Sequence, residues 1–253
     1  MTGLLSLPAG WRLVRLDSVD STNDEALRRV AEGERHGCVI VADRQERGRG
    51  RRGADWQSLD GNLFMTIVAE SPRNVSPGRN ASPGQLAYLA GIASARACRT
   101  DEIRLKWPND LIFRNRKLGG ILIEEGARAR HYAIGIGINL FAAPFAPGIS
   151  AISLSEAGIS VGRDELVSSV CREFAGLFEA WTTHGFEPVR SAWLDLAFGI
   201  GKPIRARLAD GSELDGVFTG IDADGALVLQ RPDRTDLVIS AGAVFFDEAA
   251  DAC

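Results

Sequence analysis

The sequence predicts an α/β (α+β) protein in two parts: residues 1–198, where strands and helices interleave, and a small β-rich unit over 199–253. Three observations predict it. Short apolar, β-branched runs alternate with segments whose apolar residues recur every three or four positions. From Gly199 the texture changes to short β-rich runs punctuated by "DG" turns, the pattern of a small antiparallel barrel. A chain of 253 residues with 45% apolar and 25% charged side chains can bury a sizeable core.

Taken in order, "WRLVRLD" (Trp11–Asp17) reads as a strand and "STNDEALRRVAEG" (Ser21–Gly33) as a helix. Thr22 and Glu25 have capping-box spacing, and Gly33 sits where a helix stops. "GCVIVAD" (Gly37–Asp43) is a buried strand, followed by a basic loop and a further strand, "NLFMTIVAE". A Pro/Ser/Gly/Asn loop then leads into the apolar-faced helix "PGQLAYLAGIASARAC". "IRLKWPNDLIF", "GGILIEEG" and "HYAIGIGINL" are strand-like, with "RNRK" turning between the first two. In "GRDELVSSVCREFAGLFEAWTTHG", Leu166, Val170, Phe174, Leu177 and Trp181 form one helix face, and "FEPVRSAWLDLA" is a second, short helix. Both serve packing.

Charge narrows the function. The net charge is -4, with five basic and nine acidic residues from Gly199 to Glu248 and 24 of each elsewhere. That balance argues against a general nucleic-acid surface and against nucleic-acid binding by the small β unit. Four scattered cysteines without a CxxC pair, and only three histidines, argue against a zinc site. The same scatter fits reduced thiols and a cytoplasmic protein. "MTGLLSLPAGWR" lacks the basic start of a secretory signal. The uncharged stretch Tyr132–Ser155 carries Asn139, two prolines and several glycines, so it is not read as a membrane span. About ten residues precede the first strand, too few for a helix-turn-helix, so binding to operator DNA is not expected.

Five motifs can carry chemistry. "RQERGRGRRGADW" sets five arginines against one glutamate between Arg44 and Arg52, with glycines interleaved. Arginine forks match phosphate and carboxylate oxygens, and glycines allow close backbone approach. A solvated basic loop, or an RNA contact, is the bland alternative; its position straight after a buried strand favours a ligand loop. In "KWPND", Pro108 fixes a turn that presents Lys106, Asn109 and Asp110, unless it is simply a strand end. Lys117 precedes two glycines at the mouth of a strand. Gly135 and Gly137 in "GIGINL" fall on one strand face, with Asn139 continuing it; either a ligand or a packed element comes close there. Ser21, Thr22 and Asn23 are either helix caps or a cluster of small polar donors.

In this order, "DSTNDEA", "DRQERGRGRRGADW", "GNLFMTIV", "KWPNDL", "RKLGGILIE" and "GIGINL" resemble the successive motifs of the biotin–protein ligases, specifically a short form without an N-terminal DNA-binding domain. The resemblance runs from about Asp17 to Leu140, and the β-rich tail is similar to that family's C-terminal domain. It implies a mixed sheet flanked by helices, like class II aminoacyl-tRNA synthetases, with a small SH3-like barrel. The implied reaction is ATP-dependent transfer of biotin to a lysine of a biotin carboxyl carrier domain through biotinyl-5′-AMP, with Mg²⁺. Ser21, Thr22, Asn23, Gln45, Arg49, Arg51 and Lys117 would then hold biotin. Arg49, Arg51, Arg52, Trp56, Lys106, Asn109 and Asn139 would serve the nucleotide. Lys117, Arg51, Asp110 and Lys106 would be catalytic, with Asp110 also a metal ligand. The sequence departs from the family at Arg47, where alanine is usual, and at Ala54, where arginine commonly follows. "ISAGAVFF" replaces an "SGEV"-like segment, which leaves the tail's contact with the site open. A lipoate–protein ligase shares the chemistry and is the near alternative; an RNA-binding module is the distant one. The sequence is compatible with a homodimer.

Overall fold

A computed structural model describes residues 5–70, 74–76, 79–80, 82–127, 130–145, 150–208 and 210–246. The elements are β1 (Arg12–Val19), α1 (Thr22–Ala31), β2 (Cys38–Gln45), β3 (Leu63–Glu70), β4 (Asn74–Ser76), β5 (Arg79–Asn80), α2 (Pro83–Ala97), β6 (Ile103–Lys106), β7 (Asp110–Phe113), β8 (Arg116–Glu125) and β9 (His131–Ile138). They continue with α3 (Arg163–His184), α4 (Glu187–Leu196), β10 (Pro203–Leu208), β11 (Glu213–Ile221), β12 (Leu227–Gln230), β13 (Asp236–Ile239) and β14 (Gly242–Phe246). One expected run divides: "IRLKWPNDLIF" is a hairpin, β6 and β7, folded at the cis Trp107–Pro108 bond.

The large sheet has the order β1-β2-β3-β9-β8-β7-β6. β1 pairs parallel with β2, and the remaining pairs are antiparallel, so the sheet is mixed as expected. Its two faces are covered unequally. Helices α2, α3 and α4 cover one, and the main core lies there, with Leu89, Ile92, Phe174, Trp181 and Trp193 almost fully buried. Helix α2 is buried on nearly every side, more than the one apolar face its sequence suggests, because it is packed by both sheet and helices. Among the described helices only α1 covers the other face, where Ala26 and Val30 meet Cys38, Ile40, Val68 and Ala133. Ten residues of helix span about 15 Å, so the rest of that face is left open to a ligand.

Helix α1 is not closed by the expected capping box. Ser21 is the N-cap and makes no side-chain cap bond. The Thr22 hydroxyl instead lies within bonding distance of Gln45 Oε1 and the Thr66 hydroxyl, while Glu25 pairs with Arg28 and Arg29. Tertiary partners have taken the groups that a cap would use.

Strands β10–β14 form a separate five-stranded antiparallel sheet in the order β13-β12-β11-β10-β14. Its buried Ile204, Phe218, Leu229 and Val244 join the main core. Asn62, in the "GN" preceding β3, clamps the chain after β9: its Oδ1 accepts from the backbone amides of Leu140, Phe141 and Ala142. Cys38, Cys98 and Cys171 are buried free thiols, and burial pushes Cys98 and Cys171 up to about 12. Among the described residues no helix is long and apolar enough to cross a membrane.

Candidate functional site

The open part of the sheet is the floor of a pocket of about 290 Å³. Sheet register builds this floor in two rows. Thr66 on β3 stands beside Gly135 on β9, which stands beside Leu122 on β8. In the next row Phe64, Gly137, Gly120 and Asp110 follow one another across β3, β9, β8 and β7. A Cβ on Gly135 would lie 2.6 Å from Asn23 Oδ1, and one on Gly137 would lie 2.7 Å from the Trp56 indole. The glycines therefore admit two side chains of the site itself, and those side chains form its walls.

At one end, α1 presents Ser21, Thr22 and Asn23, each 3% exposed. Gln45 Oε1 accepts from the Thr22 backbone amide at 2.9 Å, which leaves the amide nitrogen of Gln45 as the group for a ligand. Thr66 is the only hydroxyl in the buried run "LFMTIVA", and it lies 2.7 Å from Asn23 Oδ1. Glu124 accepts from Asn23 Nδ2, also at 2.7 Å. Those two neighbours fix which way the Asn23 amide points.

The arginine loop closes the pocket from above. Its backbone must pass close to Trp56: a Cβ at Gly48 would stand 2.7 Å from the Trp56 carbonyl. Arg52 has φ 55, in the left-handed region. The arginines differ in electrostatic state. Arg49 is bidentate to Asp24 at 2.5 and 2.6 Å and also bonds Glu124, and these carboxylates raise its pKa. Arg49 thus ties loop to floor with its charge compensated. Arg51 bonds two neutral groups, Asn109 Oδ1 and the Gly242 carbonyl, both at 3.3 Å. Burial and the nearby Arg52 lower its pKa, as expected for a cation held where an anion would relieve it. Arg47 points away: its side chain is 78% exposed and lies 3.6 Å from Asp20. Ala54 lines the pocket, where its carbonyl accepts from the Gly50 amide.

At the opposite end Lys117 Nζ sits 2.7 Å from Asp110 Oδ1 and 5.8 Å from the Trp56 ring centroid. A bulge sets this up. Leu111 pairs with Gly119, but Ile112 pairs with Lys117, so Leu118 is an extra residue. Simple alternation would put Lys117 and Gly120 on opposite faces; the bulge brings both to the pocket. Asn109 Nδ2 donates to the Ile121 carbonyl at 2.5 Å, pinning the turn to β8.

All but two of the site residues expected from the sequence line this pocket. Lys106 stands beside it, its amine 5.5 Å from the Phe246 ring and 6.0 Å from Phe245. Burial lowers its pKa, with Asp110 opposing and Lys117 adding to the shift. Asn139 is buried behind the floor, donating to the Ile152 carbonyl at 3.1 Å and to the Lys117 carbonyl at 3.5 Å. β9 ends at Ile138, so the alternation that placed Asn139 with Gly135 and Gly137 no longer applies.

Sequence reasoning missed Asp24, Thr66, Glu124 and Gly242. A lone hydroxyl in a buried strand marked Thr66. Glu124 falls on the same strand face as Gly120 and Leu122, which was a readable signal. Nothing local marked Gly242: it enters from the small sheet through its backbone, a contact indifferent to the side chains of "ISAGAVFF".

Comparison with known proteins gives a consistent result. The profile of the "Biotin/lipoate A/B protein ligase family" matches residues 16–140, and that of the "Biotin protein ligase C terminal domain" matches 199–247. A biotin–[acetyl-CoA-carboxylase] ligase of Paracoccus denitrificans is 37% identical over 248 residues, covering 91% of this chain and 99% of the relative. The bifunctional ligase/repressor BirA of Escherichia coli (strain K12) is 34% identical, over 88% of this chain and 70% of that protein. A biotin protein ligase from Aquifex aeolicus, solved in complex with biotin and ATP, superimposes with a TM-score of 0.80 at 23% identity, covering 93% of this chain and 99% of the other.

Proposed function

The chain belongs to the biotin protein ligases, and we propose that it uses ATP to join biotin to a lysine of a biotin carboxyl carrier domain by way of biotinyl-5′-AMP. The carrying observation is that one pocket collects the motif residues from segments between Ser21 and Gly137 and adds backbone from the small sheet. The C-terminal match and the biotin ligases among the relatives favour biotin over lipoate.

In the first step a biotin carboxylate oxygen attacks the α-phosphorus of ATP and pyrophosphate leaves. Both reactants are anionic, so cations fixed in advance where charge builds supply the main stabilisation. Lys117 lies at the biotin carboxylate in this reading, and Arg51 at the phosphate. The amide nitrogen of Gln45, with Ser21 and Thr22, faces the ureido end of biotin, while Asn23 and Arg49 hold that end of the pocket in shape. Asn109, Arg52 and Trp56 line the nucleotide side, and Lys106 stands behind it. Asn139 supports the Lys117 backbone.

Among the described residues no group of three or more His, Cys, Asp or Glu side chains could hold a metal ion. Asp110 is the carboxylate that would hold Mg²⁺ beside the ATP phosphates, since Mg²⁺ needs only one or two carboxylates next to phosphate oxygens. When bound, the ion would neutralise phosphate charge. In the second step the neutral carrier lysine attacks the acyl carbon of the mixed anhydride, the amide forms and AMP leaves. Asp110, beside Lys117 in the pocket, would orient that amine and take its proton.

The test is intact-mass analysis of a carrier domain incubated with purified protein, biotin, ATP and Mg²⁺. A single biotinyl increment that depends on ATP is expected. No increment under saturating substrates would overturn the assignment.

A further inference from the structure

Behind the pocket, three parts of the chain meet at one buried hydroxyl. Tyr88 on α2 is 4% exposed and donates to the Gly225 carbonyl, in the turn between β11 and β12. The same oxygen accepts from Trp107 Nε1 at 2.9 Å. The Tyr88 ring is held edge-on by Phe186 and Trp193, with centroids 5.5 and 5.3 Å away. Gly225 has φ +92, and a Cβ there would sit 2.8 Å from the Tyr88 ring. Burial raises the phenol's pKa, so it stays a protonated donor.

From this junction two routes lead to Arg51. Trp107 is followed by Pro108 and then Asn109, which accepts from Arg51. Gly225 belongs to the small sheet, whose Gly242 carbonyl also accepts from Arg51. An open cleft of about 350 Å³ lies beside the routes, and Tyr88, Trp107, Asn109, Gly225 and Arg51 all line it. Arg51 thus bonds one group on each route, and both routes start from the Tyr88 hydroxyl, which does not line the main pocket.

We infer that Tyr88 is a positioning residue for Arg51: by seating the β11–β12 turn against the Trp107–Asn109 turn, it holds the Gly242 carbonyl and Asn109 where together they aim the guanidinium into the pocket. This rests on the adenylation reading for its consequence, since a loosely held Arg51 retains the adenylate poorly. The geometry itself does not depend on that reading.

Tyr88→Phe removes the shared oxygen and little else, and Trp107 Nε1, already 3.3 Å from the Gly225 carbonyl, can still donate to it. The readout is escape of biotinyl-5′-AMP, measured as biotin on a bystander protein at equal ATP turnover. Loss of one neutral hydrogen bond predicts a rise of about five- to tenfold, with the KM for biotin unchanged. Gly225→Ala should give the same signature from the other side of the junction. In an Arg51→Gly background Tyr88→Phe should add nothing, because the two act in series. Activity-free support is faster amide exchange along β14 in Tyr88→Phe. Unchanged escape and unchanged exchange in a folded variant would overturn the inference, as would effects of Tyr88→Phe and Arg51→Gly that simply multiply. Loss of cooperative folding in both single variants would make the junction purely structural and overturn it too. If the wild type makes no adenylate, the functional reading fails, and the exchange measurement alone decides the junction.

Discussion

Adding one methyl group at Gly135 places a Cβ 2.6 Å from Asn23 Oδ1. β9 cannot retreat cheaply, because β3 and β8 pair with it on both sides along this stretch. Asn23 must move, and it is held at 2.7 Å by both Thr66 and Glu124. Losing the neutral contact costs about 1 kcal/mol and the carboxylate contact about 1.5–3 kcal/mol. Overpacking a filled site typically costs about 1–3 kcal/mol by whichever route is easier. Gly135→Ala is therefore expected to lower the unfolding free energy in urea by roughly 2–4 kcal/mol, and to weaken biotin binding measured by calorimetry. Asn23→Ala removes the obstruction together with the contacts at stake. In that background the same Gly135→Ala change should cost less than about 0.5 kcal/mol, a coupling far outside normal additivity. If Gly135→Ala costs the same in both backgrounds, the glycine is not there to admit Asn23 and the account of the floor is wrong.

Lys117→Ala should leave the fold cooperative but cut adenylate formation, read by pyrophosphate exchange, by about 10²–10³-fold, the scale of one lost preorganised electrostatic donor; near-normal exchange would place that work elsewhere. Arg51→Gly should still activate biotin while raising bystander labelling roughly tenfold or more, from loss of a charged hydrogen-bonding group and a looser loop; bystander labelling at the wild-type level with adenylate still made would remove Arg51 from the lid. His36 lies against Trp11 and Phe178, with a buried Nδ1 that has no hydrogen-bond partner among the described residues, and burial lowers its pKa from the ordinary 6.5. Below about pH 6.5 the unfolded chain takes up a proton that the folded ring resists, so stability falls on acidification through that range. His36→Phe should flatten the loss of urea midpoint between pH 7.5 and 5.5, and an unchanged slope would mean that other groups govern it.

The sequence alone carried most of the elements and most of the pocket. Period-two and period-3.6 patterning is local, and so are the turn chemistry of "KWPND" and the composition shift at Gly199. The ordered motifs therefore fall on strand ends and loops that local pattern alone marks. What patterning could not supply was the face or partner of a side chain wherever a non-local contact overrides the local rule. Thr22 looked like part of a cap, yet its hydroxyl has closer partners in Gln45 and Thr66, on two strands. Asn139 looked like a third member of the Gly135–Gly137 face, but its strand stops one residue earlier. Lys117 reaches the pocket only because Leu118 is extra in the ladder, and one residue of register inverts every face beyond it. Arg49 and Arg51 are alike in the sequence, and the carboxylates of Asp24 and Glu124 separate them into a charge-paired tie and a cation bonded to neutral groups. The sequence determines which groups are available, because residue type and local periodicity are written in it. Which of them keep an uncompensated charge facing the pocket is decided only when distant segments meet, because Coulomb and hydrogen-bond energies depend on distances that the chain acquires by folding.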